Sequence, residues 1–305
     1  VNRSRELAFG PWLVALGAAM WGTESAWRVP LLGRFDEDVM VWWEHVALVA
    51  LALPFILPRL GELRRASRAT LGWLVLSGVA GSAVGTVLFS MALDHGNPTV
   101  ANVVLNVQPM VSTAAAFFIF RDRLAPAFFG WAALAVGAGM TFALAPGDGF
   151  SLDGSVPYAL GCAVFWGLST VAGRGVMLEL SLPLASGMRL VVGLVAMTIV
   201  VAARGHLDAS ALWPAKAAAA PGKVLVLYAL LVTVSGGIPL LIYFAGLART
   251  RASTAGYFEM MQTLAGAALT WAVFGERLAP YQVAAGVVLL GAVVMVQRAQ
   301  ASVGS

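Results

Sequence analysis

Ser253–Pro280 reads STAGYFEMMQTLAGAALTWAVFGERLAP, a long apolar run that carries Glu259 and Gln262 and ends in the charged turn Glu276-Arg277-Leu278. The chain contains a second version of it, 154 residues earlier and without a gap: Thr99–Pro126, TVANVVLNVQPMVSTAAAFFIFRDRLAP. Between Phe120–Pro126 and Phe274–Pro280 five of seven residues are identical, and Asp122 stands against Glu276. Gln108 falls on Gln262, and Gly137 on Gly291. A repeat of about half the chain length in so apolar a sequence points to a bundle built from two related halves, the construction of many carriers.

Composition supplies the class. Of 305 residues 60% are hydrophobic and 11% charged, with a mean hydropathy of +0.84. Soluble proteins carry about 25% charged residues, so this chain cannot cover itself with a water-soluble surface and must present most of its outside to lipid. The single cysteine, Cys162, excludes an internal disulfide and a cysteine-based metal cluster. The net charge of +4 comes from loop arginines, not from a basic stripe with interleaved aromatics, so no nucleic-acid partner is expected. Arg3 and Arg5 precede an apolar segment in the manner of a leader, but no small-residue cleavage site followed by a soluble domain appears.

The apolar segments predict membrane helices at about 10–28, 39–57, 71–93, 98–119, 127–145, 156–174, 183–203, 223–246, 253–274 and 281–297. Pro58-Arg59, Pro146-Gly147-Asp148 and Ala220-Pro221-Gly222 break the pattern between them, and residues 205–222 form the longest loop. The expected fold is therefore an all-α integral membrane protein of ten transmembrane helices in two five-helix repeats, 1–146 and 147–305. Alternate connections hold twelve basic residues on the side of the termini, among them Arg59, Arg64, Arg65, Arg68, Arg121 and Arg123, against six on the other, with Arg28 and Arg277 among those six. That bias predicts cytoplasmic N- and C-termini. Five helices per repeat is an odd number, so the repeats lie inverted in the membrane, which places a binding site near the midplane between them.

Other residues make the pattern specific. Trp21-Gly22 and Trp166-Gly167 sit in the first helix of each half, and Arg189 in the second helix of the second half. Asp122-Arg123-Leu124 and Glu276-Arg277-Leu278 precede glycine-rich fifth helices, Gly130–Gly139 and Gly286–Gly291. In order and duplication these resemble the drug/metabolite transporter superfamily in its EamA-type branch, over roughly residues 10–297. The resemblance implies a ten-helix inner-membrane carrier, usually an exporter of amino acids or other small metabolites. Where the second half has Arg189, the first offers Trp43-Glu44-His45, a departure from that pattern.

Polar residues within apolar helices are costly in lipid and face the bundle interior. Glu24, Glu44 and His45 are candidates for a proton or access site on the outer side; alternatively they neutralise Arg28 at the outer interface. Arg189 and Glu259 each lie about two turns from the cytoplasmic end and are expected to meet, as a substrate or proton site or as a structural clamp. Asn102 and Asn106 share a helical face, and Pro109, which lacks an N–H, frees a carbonyl nearby; this favours Asn106 over Gln108 as a cavity residue. Tyr257 and Gln262 share the segment of Glu259, and Trp166 is either packing or a ligand platform. Trp12, Trp73, Trp131 and Trp213 read as interfacial anchors.

Enzymatic chemistry has little support. His45, His95 and His206 lack metal-ligand spacing, and no glycine-rich phosphate loop precedes a lysine. Neither metal nor cofactor is expected. The reading is a secondary transporter exporting amino acids or related compounds by alternating access, with the bilayer, a small-molecule substrate and protons as partners, and with a monomer sufficient. Efflux of cationic compounds through an anionic Glu24/Glu44 mouth is the alternative; a membrane sensor or intramembrane enzyme is a minor one.

Overall fold

The computed structural model describes residues 2–96, 98–144, 154–274 and 279–301. The Gly275–Leu278 turn and the break at Pro146–Asp148, with the expected boundary between 146 and 147, lie outside them. Among the described residues the chain is helical, with no strand. Helices α1 (Asn2–Trp21) and α2 (Glu24–Leu32) flank a break at Gly22 and Thr23. Helix α3 (Glu37–Ile56) runs on into a 3-10 stretch, Leu57–Arg64. Helices α4 (Arg68–Leu76) and α5 (Gly85–Asp94) are joined by a π-helical stretch, Ser77–Val84. Helices α6 (Pro98–Leu105), α7 (Gln108–Phe120) and α8 (Pro126–Ala143) complete the first half.

In the second half come α9 (Ser155–Val176) and α10 (Leu182–Ala203). Two one-turn helices, α11 (Ala209–Leu212) and α12 (Ala215–Ala218), occupy the long loop. Helices α13 (Pro221–Val232) and α14 (Ile238–Leu247) flank a second π-helical stretch, Thr233–Gly237. Helices α15 (Ala252–Glu259), α16 (Met261–Phe274) and α17 (Pro280–Ala301) follow.

Eight stretches among the described residues are long and apolar enough to cross a membrane: 37–64, 68–94, 100–120, 126–143, 155–176, 182–203, 221–247 and 280–300. Large apolar side chains such as Phe118, Phe129, Ile199, Leu225 and Val287 stand on their outer faces, where lipid replaces water as solvent. The protein is a multi-pass membrane protein. The segments expected at 10–28 and 253–274 are helical too, but each is interrupted, at Gly22–Thr23 and at Met260.

Local chemistry explains the boundaries. Proline stands in the first turn of α7, α8, α10 and α13, where its missing N–H costs no bond. Pro109 cannot donate to the turn before it, and α6 stops ahead of it at Leu105. Ser67 caps α4 by accepting from the Thr70 amide at 3.1 Å.

The interruptions follow the repeat. The π-helical stretch Thr233–Gly237, moved back by 154 residues, falls on 79–83, inside Ser77–Val84. The break at Met260 falls on Asn106, where α6 ends and α7 has not begun. The principal helix packings, α8 on α17, α1 on α14, α3 on α10, α5 on α9 and α7 on α15, all run between the two halves of the chain. The connections sort into two ends. At one, Ser253 Oγ meets Asp122 Oδ2 at 2.6 Å, and Arg174 Nη1 donates to the Ala248 carbonyl at 2.6 Å. At the other, Arg34 Nη1 donates to the Lys216 carbonyl at 2.9 Å, and the Tyr281 hydroxyl to the Leu144 carbonyl at 2.9 Å.

Candidate functional site

A cavity of about 100 Å³ lies where the halves meet. The α1–α2 break and both π-helical stretches reach its wall, through Trp21 and Glu24, Gly81 and Ser82, and Ser235 and Gly236. A π-helical turn leaves carbonyls without their regular partners. Here the Gly81 carbonyl accepts from Thr86 Oγ1 and from Trp166 Nε1, each at 3.1 Å, and the Ser77 carbonyl from Ser169 Oγ at 3.2 Å. A Cβ on Gly81 would stand 2.0 Å from Ser169 Oγ and 2.5 Å from Arg189 Nη2, so only glycine lets α9 and α10 close on this turn.

Glu259 ends α15 at one side of the cavity. Its carboxylate accepts from the Tyr243 hydroxyl at 2.8 Å, from Thr170 Oγ1 at 2.9 Å and from Gln108 Nε2. These donors come from α14, α9 and α7. Arg189 of α10 lines the same cavity as Glu259, but among the described residues no ion pair or hydrogen bond joins the two. Its Nε donates instead to Ser82 Oγ at 2.9 Å, and its guanidinium lies 5.6 Å from the Phe244 ring centre. Arg189 thus crosses to the first half, while Glu259 is filled by neutral donors. Gln262, one turn beyond Glu259, also faces the cavity, and Trp21 leans on Tyr243 with ring centres 4.8 Å apart.

On the opposite wall Glu24 and Glu44 both contact Arg28, which is fully enclosed. The sequence reading counted Arg28 among the outer charges and also set Glu24 and Glu44 against it; that contact is made, but α2 continues past Gly22–Thr23 and buries Arg28 within the bundle. His45, 2% exposed, meets the Val41 carbonyl through Nδ1 at 2.8 Å and also lines the cavity.

Two expectations change. Tyr257 does not line the cavity: it packs edge-on against Phe128 at 5.6 Å, because two residues along a helix turn it about 200° from Glu259. Asn106 faces a smaller side pocket of about 20 Å³ with Asn102, Pro109 and Thr263, and Gln108, ranked below it, is the one that reaches the central cavity. Asn106 Nδ2 donates to the Asn102 carbonyl at 2.8 Å, and Thr263 Oγ1 to Asn106 Oδ1 at 3.3 Å. Trp213 packs against Phe35 and Trp43. Thr170, Ser82 and Tyr243 line the cavity and lie outside the candidates read from the sequence. Hydroxyl residues are too common in apolar helices to stand out singly, but the match of Gln108 to Gln262 across the repeat was a usable signal.

A cavity walled by interrupted helices from both halves, inside a multi-pass bundle, is the arrangement expected of a membrane transporter. The chain belongs to the EamA-like transporter family, which matches it twice, over residues 8–144 and 154–298. It is 23% identical over 299 residues to a protein named riboflavin transporter ImpX from Fusobacterium nucleatum subsp. nucleatum, covering 95% of this chain and 97% of that one. A protein of known crystal structure has the same fold, with a TM-score of 0.71 and 17% identity over 96% of this chain and 98% of its own.

Proposed function

We propose that the protein is a secondary carrier of ten membrane helices in two inverted five-helix halves, exporting amino acids or related small carboxylates across the inner membrane by alternating access. The helices α1–α2 and α15–α16 supply the ninth and tenth crossings. Inversion is supported by the odd number of crossings per half and by interruptions that recur at the repeat interval. With Arg28 removed from the outer count as a buried residue, twelve basic residues against five favour cytoplasmic termini.

The observation that carries the substrate class is Arg189. It is a cation on the cavity wall that donates to a serine hydroxyl and lies over an aromatic face, so a carboxylate in the cavity completes it. Glu259 already accepts from Tyr243, Thr170 and Gln108, and Gln262, which also lines the cavity, suits the amino end of the substrate. The same cation disfavours the alternative of cationic efflux. A second reading comes from the relative named as a riboflavin transporter: Trp21, Trp166 and Tyr243 offer faces for a planar ring, and Arg189 a donor for its carbonyl edge.

Counterflow into liposomes holding the purified protein tests this, with amino acids, riboflavin and cationic drugs as preloaded substrates. Saturable counterflow of amino acids is expected, and Arg189→Gln should weaken it about 10- to 100-fold, the worth of one charged hydrogen-bonding partner. Riboflavin counterflow without amino-acid counterflow would select the second reading. Exchange confined to cationic drugs would overturn both.

A further inference from the structure

We infer that Glu24 and Glu44 share one exchangeable proton above Arg28, and that this buried triad is the coupling site of the carrier; the inference rests on the carrier reading for its coupling role alone. Both carboxylates approach the same nitrogen. Glu44 Oε2 lies 2.8 Å from Arg28 Nη2, and Glu24 Oε1 contacts that same Nη2. Nη1 donates to Ser90 Oγ at 3.1 Å, and that hydroxyl in turn donates to the Thr86 carbonyl at 2.9 Å. Nε is buried with no hydrogen-bond partner. A guanidinium offers five N–H groups in a planar fork. Two anions crowd one corner of it here while another donor goes unused.

Charge arithmetic then decides. With both carboxylates ionised the triad carries one excess negative charge, although Glu24 and Glu44 are each only 6% exposed and Arg28 is not exposed at all. An uncompensated charge in such a place is expensive, and a proton shared between the two carboxylates removes it. The titratable groups on the surrounding elements do not supply the missing charge. His45 is turned to Val41 on α3, Arg189 of α10 is held by Ser82, and Tyr228 of α13 bonds to the Met40 carbonyl at 3.3 Å. Cys162 of α9 is buried, and Glu259 of α15, a carboxyl group, has no positive charge to offer.

Access and mechanics fit the role. Glu24 and Glu44 line the cavity and Arg28 does not, so a proton arrives from the cavity while the fixed cation stays behind. Glu24 opens α2 just past the Gly22–Thr23 break, and Glu44 belongs to α3. Losing the proton sets two like charges against each other across these elements, next to the break that separates α2 from α1. Glu259 is the weaker choice for the proton, since three donors already occupy its oxygens.

The first test needs no substrate. Infrared spectroscopy of the purified protein in lipid at neutral pH should show the C=O stretch of a protonated carboxyl group. The band should disappear in Glu24→Gln or Glu44→Gln and remain in Glu259→Gln. Glu24→Asp and Glu44→Asp, which keep the charge and guard against misfolding, should shift it. A wild-type protein without the band, or a band that survives both glutamine variants or is lost in Glu259→Gln, overturns the assignment. The second test is the ratio of substrate uptake with a pH gradient to uptake without one, which the glutamine variants should bring to unity; a ratio kept at the wild-type value overturns the coupling role. Absence of all transport in the wild type would fail the carrier reading, while the infrared band would still decide where the proton sits.

Discussion

Arg121 shows how far one residue departs from what its neighbours prefer. It ends α7 in the left-handed region, with φ of 54°, the one non-glycine residue so placed among those described. The matching position in the second copy of the repeat is Gly275. A side chain there costs about 1–2 kcal/mol, partly offset in a glycine variant by the greater freedom of its unfolded chain. Arg121→Gly should therefore raise the thermal midpoint in detergent, with a gain of up to about 1 kcal/mol; a lower midpoint would mean that the arginine side chain contributes more than its backbone costs. Asn106, Gln108 and Tyr257 make the related point that a polar residue in an apolar helix announces burial but not direction. Two residues, from Asn106 to Gln108 or from Tyr257 to Glu259, move a side chain from one pocket to another or into the core.

Among elements, the ends of the helices are tied by a crosswise pair of carboxylates. Glu62, in the 3-10 stretch after α3, accepts from the amide and hydroxyl of Ser181 ahead of α10, both at 2.8 Å. Glu179, after α9, accepts in the same way from Ser67 ahead of α4, both at 2.8 Å. Each half thus satisfies the free amide at a helix start in the other. The hydrogen bonds from the Ser67 amide and hydroxyl hold the Glu179 carboxyl below the usual carboxylate range. A depressed value means that the tie favours the closed arrangement at full strength above the ordinary glutamate range and is lost as pH falls through the lowered value. Spin labels at Gly61→Cys and Leu178→Cys, both exposed positions, should keep one separation from neutral pH down through the ordinary glutamate range and widen only as the pH falls further. In Glu179→Gln the wider separation should already be present at neutral pH. A separation that ignores both the pH and the substitution would show that the tie does not hold this end shut.

At the scale of the whole molecule the halves are interlocked rather than side by side. The packings of α8 on α17, α3 on α10 and α7 on α15 each join an element to its counterpart, and α1 on α14 corresponds to α9 on α5. Each half alone would leave these faces, and the polar wall of the cavity, without partners. Expressed singly, residues 1–146 and 147–305 should aggregate or be degraded, whereas the two expressed together should reassemble into a particle that binds substrate. A stable, monodisperse first half on size exclusion would contradict this view of the bundle.

The amino-acid sequence by itself determined that the chain lives in a membrane, that it is helical, where most crossings begin and end, and that it repeats at 154 residues. These depend on composition, on apolar run length and on proline, all of which act locally. It also marked Glu24, Glu44, Arg189, Glu259 and Gln262 as interior, because a charge or an amide has few other places to go in lipid. Only the tertiary structure decided the partners. Glu259 is held by neutral donors from three helices instead of by Arg189, and Arg28 is a buried cation between two carboxylates instead of an outer loop charge. The reason is geometric. Facing and partnership depend on how each helix is rotated and where it is interrupted, and the π-helical turn at Ser77–Val84 that resets that rotation forms where α9 of the opposite half, 85 and 92 residues away, supplies donors for the carbonyls it frees.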